Sequence, residues 1–166
     1  IFGDLKLENI LIDRYGHILL TDFGISKFHN ETNPRVKGTP VYFAPEIITD
    51  KLIHAKSDIW ALGIILYEMT GTPIPWQGLN RDIIFQMILN IQLSLNVFFD
   101  NRLNELVQLL TIKDHSERPD CATIIQYLKN ESIIEDWDLV QSCTLEPPHL
   151  PELVHESDNI IMNFGL

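Results

Sequence analysis

Residues 4–24 read D-L-K-L-E-N-I-L-I-D-R-Y-G-H-I-L-L-T-D-F-G, and the fold of this stretch decides how the rest is read. Ile10-Leu11-Ile12 and Ile18-Leu19-Leu20 are short β-prone runs, and Asp13 and Gly16 between them favour a turn. The pattern predicts a β-hairpin. A hairpin returns the chain to its starting point, so Asn9 and Asp22, which flank it, converge on one place. An amide oxygen and a carboxylate are hard ligands suited to Mg²⁺. Asp4 is near enough in sequence to face the same point, and Lys6 adds a positive charge. A carboxylate able to take a proton, two oxygen ligands and a cation are the parts of a phosphoryl-transfer site.

Working outward, residues 23–56 carry Gly24, Pro34, Gly38, Pro40 and Pro45 without a sustained period, and are expected to form a long functional loop. Ser57 to Thr70 predicts a helix that is apolar nearly all round, the mark of a buried element, stopped by Gly71 and Pro73. Further helices are expected over Arg81–Asn90, Arg102–Ile112 and Cys121–Lys129, the last with Asp120 as N-cap. Pro147, Pro148 and Pro151 imply an extended tail.

The chain has 166 residues and a net charge of −11, which argues against a nucleic-acid partner. Residues 131–166 hold eight acids and no Lys or Arg, while residues 1–130 hold the other 15 acids and all 12 bases. That asymmetry predicts a boundary near residue 130, between a body (1–130) and an acidic tail (131–166). The apolar run Ile59–Tyr67 is too short to span a bilayer, so no membrane association is expected. Cys121 and Cys143 do not make a disulfide framework. A reducing compartment, cytoplasmic or nuclear, fits best, with Cys121 a buried small hydrophobe. The six histidines show no mutual ligand spacing.

The order D-L-K-x-E-N, hairpin, D-F-G, Ala44-Pro45-Glu46 and then S-D-I-W-A-L-G at 57–63 resembles the catalytic loop, metal-binding loop, activation segment and helical core of eukaryotic protein kinases. The wording is most similar to the AGC group, within it to ribosomal-S6-kinase-like and stress-activated kinases. Trp137, Pro147-Pro148-His149-Leu150-Pro151 and Asn163-Phe164 resemble the AGC carboxy-terminal extension. The implied fold is mainly α: a kinase-like C-lobe, a helical bundle around a buried central helix, with the hairpin carrying the catalytic and metal loops.

The resemblance implies ATP- and Mg²⁺-dependent phosphorylation of Ser/Thr in protein substrates. Asp4 orients the hydroxyl and accepts its proton, Lys6 neutralises the transferred phosphoryl, and Asn9 and Asp22 hold the metal. Thr39 bonds the aspartate and lysine. Glu46 and Arg118 form a structural ion pair, Asp58 holds the catalytic-loop backbone, and Glu8 and Glu68 receive an arginine of a basic substrate motif. The plainer alternatives are surface charges for Glu46 and Arg118, a helix-start acid for Asp58 and solvated acids for Glu8 and Glu68. Oligomeric state is left open.

Two departures stand out. Phe2-Gly3 occupies the place of the family's His/Tyr-Arg, and Arg35 stands where a phospho-acceptor is usual. The expectation is that activation-loop phosphorylation does not act through the usual arginine, with Thr32 a fallback site, and that Gly3 loosens the backbone before Asp4. No G-x-G occurs among the glycines, and the chain is expected to lack the nucleotide-clamping N-lobe. The competing readings are a pseudokinase or kinase-derived interaction module without activity, and a generic helical binding domain.

Overall fold

The computed structural model describes residues 1–27, 37–96, 98–134, 136–144, 152–156 and 159–163, the last two segments by their backbone alone. Thr32, Arg35 and the tail prolines lie outside these residues. Among the described residues the architecture is mainly helical with small antiparallel hairpins.

The hairpin forms over the predicted runs. β1 (Ile10–Ile12) and β2 (Ile18–Leu20) pair with Ile10 opposite Leu20 and Ile12 opposite Ile18. The Asp13 carboxylate closes the turn, accepting from the Tyr15 and His17 backbone N–H groups at 2.8 and 2.9 Å. Gly16 supplies the positive φ the turn requires. Leu11, Ile18, Leu19 and Leu20 are exposed.

The body is α1 (Pro45–Thr49), α2 (Ala55–Met69), α3 (Arg81–Asn90), α4 (Asn101–Leu110) and α5 (Cys121–Asn130). α2 is its axis, as its all-round apolar pattern predicts. Trp60, Ile64 and Ile65 sit in the main core with Tyr42, Phe43, Trp76 and Ile88, while Ile59 meets Leu106, Leu110 and Ile124 on the other side. Gly63 lets α2 and α4 touch: a Cβ there would lie 2.7 Å from a Thr111 methyl and 2.8 Å from Leu110 Cβ. Asn80, Asp100 and Asp120 cap α3, α4 and α5 through side-chain bonds to backbone N–H groups at 2.8–3.0 Å, each worth about 1 kcal/mol.

The structure corrects four expectations. The segment expected as a continuous loop folds into a 3₁₀ turn at Pro40–Tyr42 and into α1, because Pro40 and Pro45 preset the φ of a first helical turn. α2 starts at Ala55 rather than Ser57, since the unorthodox cap His54 accepts the Lys56 N–H through Nδ1 at 3.2 Å. Cys121 is exposed, not buried: α5 lays Ile124, Tyr127 and Leu128 on the core, and its first turn extends past it. The tail is not simply extended. It contains α6 (Trp137–Gln141) and a hairpin of β3 (Glu152–Glu156) with β4 (Asn159–Asn163). No helix among the described residues is long and apolar enough to cross a membrane.

Candidate active site

The segment before β1 is held from below. The Asp58 carboxylate, on the first turn of α2, accepts the backbone N–H groups of Phe2 and Gly3, both at 2.8 Å. Ser26 Oγ donates to the Phe2 carbonyl at 2.9 Å, and Lys27 N–H to that of Ile1 at 3.0 Å. Gly3 has φ +88, a left-handed conformation that side-chain-bearing residues rarely adopt. Glycine therefore meets the conformation this turn demands, and the two bonds to Asp58 fix it. The loosening expected of Gly3 is not what these contacts describe.

Asp4 follows at once. Its Oδ2 pairs with Lys6 Nζ at 2.9 Å, and its Oδ1 accepts the Thr39 N–H at 2.9 Å. Lys6 Nζ also donates to Thr39 Oγ1 at 3.0 Å, closing a triangle of residues 4, 6 and 39. The pair is largely but not wholly covered, with side chains 14% (Asp4) and 20% (Lys6) exposed. Burial alone would push the Asp4 carboxyl up, but the hydrogen bonds from Lys6 and from Thr39 outweigh it and hold the group below the usual range. The bond to Asp4 likewise raises Lys6, and Glu8 and Asp22 add to the effect. Both groups are charged at neutral pH.

Asn9 is buried and donates its amide to the Asp4 carbonyl at 2.9 Å, with a longer contact of 3.5 Å to Asp4 Oδ2. That bond uses the nitrogen end and leaves the oxygen end as acceptor. On the returning strand, Thr21 N–H donates to the Asn9 carbonyl at 3.0 Å, so Asp22 emerges beside Asn9. Asp22 has φ +61, and its Oδ1 accepts the Gly24 N–H at 3.2 Å. Its carboxylate is solvent-facing and close enough to act on Lys6. A buried amide oxygen and an exposed carboxylate, both hard donors at the base of one hairpin, fit a Mg²⁺ ion that keeps several waters.

The helical face carries the remaining predicted residues. Glu68 accepts the Tyr42 hydroxyl at 2.6 Å, and burial together with Glu68 and Glu8 pushes that hydroxyl far up. Glu8 and Glu68 thus approach one side chain from two elements. On the other side of the loop, Arg118 makes a two-pronged pair with Glu46: Nη1 to Oε1 at 2.9 Å and Nη2 to Oε2 at 3.1 Å. Both are buried. Ser57 Oγ adds 2.8 Å to Oε1, and Arg118 also donates to the carbonyls of Lys56 and Ile112. Burial raises the Glu46 carboxyl, but Arg118 more than reverses this.

Comparison with known proteins falls on the same elements. The protein kinase domain family model matches residues 1–128. The chain belongs to the protein kinase domain family. Its relatives place it with the AGC serine/threonine kinases. It is 34% identical to serine/threonine-protein kinase Sgk1 of Fundulus heteroclitus over 95% of this chain and 38% of that protein. Against cAMP-dependent protein kinase type 3 of Saccharomyces cerevisiae the identity is 33%, over 92% of this chain and 39% of that protein. Protein kinase C-like 1 of Candida albicans is 31% identical over 95% of this chain and 15% of its own length. This kinase-domain chain therefore spans about two fifths or less of these relatives.

Sequence reasoning missed several supports of the site. Tyr42, which holds Glu68, lies in P-V-Y-F-A-P-E without a periodic signal. Trp76 Nε1 donates to the Val41 carbonyl at 2.9 Å and pins the loop end to the core. Lys113 is half-buried against Trp60, 4.9 Å from its ring, and donates to the Ile88 and Ile91 carbonyls at the end of α3. Burial, with Arg118 nearby, lowers its pKa to about 8. His54 and His115 meet edge to face at 4.6 Å beside Glu46, a pairing no spacing rule reveals.

Proposed function

We propose that this chain carries the catalytic and metal-binding residues of an ATP- and Mg²⁺-dependent protein serine/threonine kinase, with residues 1–130 as its C-lobe and 131–166 as an acidic tail. The single observation that supports this most is the convergence of Asp4, Lys6, Asn9 and Asp22 at the base of one hairpin. When bound, Mg·ATP supplies the phosphoryl group and the divalent charge that stabilises its transfer. Asn9 and Asp22 would hold the metal. Asp4, ionised and fixed by Thr39, orients a substrate hydroxyl and accepts its proton as transfer proceeds. Lys6, kept charged, sits beside Asp4 to offset charge on the migrating group. Thr39 holds Asp4 and Lys6 in register.

The Glu8 and Glu68 carboxylates, both beside Tyr42, support a basic substrate motif, because paired acids favour a guanidinium. The experiment is transfer from ATP to serine peptides with and without an arginine, using the protein as it is expressed in its own cell. Wild type is expected to phosphorylate the arginine peptide preferentially. Asp4→Asn should lower kcat by about 10²–10⁴-fold, and Glu68→Gln should raise KM for that peptide only. Equal rates for Asp4→Asn and wild type would favour a catalytically silent module instead.

A further inference from the structure

The tip of the catalytic hairpin is joined to the tail by one imidazole. His17 Nδ1 lies 3.2 Å from Asp13 Oδ2, and His17 Nε2 lies 3.2 Å from the Cys143 carbonyl oxygen, across a separation of 126 residues. A carboxylate oxygen and a backbone carbonyl are both acceptors only. A neutral imidazole has one N–H and can satisfy one of them, leaving a lone pair against an oxygen at the other. An imidazolium has two N–H groups and satisfies both.

Both acceptors are fixed in place. Asp13 is anchored by the turn's own N–H groups at 2.8 and 2.9 Å, which also hold its carboxyl below the usual range. Cys143 has φ +55 and lies two residues past the end of α6, its N–H bonded to the Val140 carbonyl at 3.1 Å and that of Thr144 to the Leu139 carbonyl at 2.9 Å. The charged groups on the two elements are Asp13 and Arg14 on the turn and Asp136 and Asp138 at α6. Arg14 is turned onto the Tyr15 ring, 4.8 Å from its centre, and Tyr15 stands 6.3 Å from the His17 ring.

We propose that His17 is a protonation-dependent clasp that docks the tail, through the turn that follows α6, onto the tip of the hairpin. Protonation closes it by giving Nε2 a donor for the Cys143 carbonyl. Loss of the proton leaves the local bond to Asp13 and opens the contact to the tail. The docked tail then rests on the same hairpin whose base carries Asn9 and Asp22. The clasp rests on the fold and not on phosphotransfer.

The test is hydrogen–deuterium exchange of the full chain at pH 5.5 and 7.5, corrected for intrinsic exchange, with the amides of 139–144 compared against those of α2. Wild type should show about three- to tenfold greater protection of 139–144 at the lower pH, with α2 unchanged. His17→Ala should lose that difference. His17→Gln, whose amide donates at every pH, should keep protection without pH dependence. Equal pH dependence in His17→Ala and wild type, or none in wild type, would overturn the proposal.

Discussion

Two carboxylate–cation pairs in this molecule share a chemistry and differ in setting. Glu46–Arg118 lies in the core, with side chains 2% and 0% exposed, and every prong of the guanidinium is bonded within the protein. Asp4–Lys6 is only partly covered at the hairpin base, with side chains 14% and 20% exposed, and its two charges are steadied by Thr39, with a longer contact from the Asn9 amide. In both, the acid's pKa is lowered against the opposing effect of burial. The difference is what each pair has left to offer. The buried pair is saturated by the fold, so its charge serves to tie the loop end at α1 to the helical body. The partly covered pair retains some exposure to solvent, which is what the proposed role toward a substrate requires.

Breaking the buried pair should have the largest effect on stability. Arg118→Ala leaves Glu46 charged and uncompensated, and is expected to cost about 3–5 kcal/mol, read as a lower urea midpoint at unchanged m. Asp4→Asn, a same-shape change at a partly covered acid, should cost less, about 1–2 kcal/mol. A large shift for Asp4→Asn and none for Arg118→Ala would reverse the comparison.

Gly38 lies between the two regions in effect. It has φ +121, and a Cβ there would stand 3.1 Å from the Phe43 ring and 3.2 Å from Asp4 Oδ1. Gly38→Ala is therefore expected to cost about 1–3 kcal/mol through backbone strain. It should also lower kcat by about 10–100-fold by displacing Asp4. Paired melting and steady-state measurements separate the two losses.

The smallest effect is a pH dependence beside the buried pair. Burial holds His54 below its ordinary value of 6.5, with Glu46 opposing and His115, Arg118 and Lys56 reinforcing the drop. Its folded pKa lies under the unfolded one, so the unfolded chain binds the proton more readily. The stability it contributes is present above pH 6.5 and is lost as pH falls through the folded value. His54→Asn, which caps α2 without titrating, should flatten that part of the stability curve and leave the more acidic loss from Glu46, also lowered, in place. Stability curves of both proteins from pH 7.5 to 4 check it.

Much of the fold was legible because it rests on local signals. Apolar periodicity gave α2 to α5 within a few residues, and the turn residues Asp13 and Gly16 gave the hairpin. The candidate site residues were read as an ordered set of motifs rather than one by one, and the fold brings Asp4, Lys6, Asn9 and Asp22 to one hairpin base. What escaped depends on tertiary contact. Nothing local marks Lys113 as a half-buried cation or Tyr42 as the holder of Glu68, since their partners are distant in sequence. His54 caps an N–H only two residues on, but histidine is not among the preferred cap residues. Cys121 was misplaced for the converse reason. Its helical pattern is apolar, but the core ends before it does.

The most direct measurement is phosphoryl transfer from Mg·ATP to a serine peptide by the protein as expressed in its own cell, comparing wild type with Asp22→Asn. Convergence of residues 4, 9 and 22 on one metal-assisted site predicts transfer by wild type and a loss of about 100-fold or more in the variant, with an unchanged melting temperature. Full transfer by Asp22→Asn would contradict the account, because the exposed carboxylate at the hairpin base would then have no part in the chemistry.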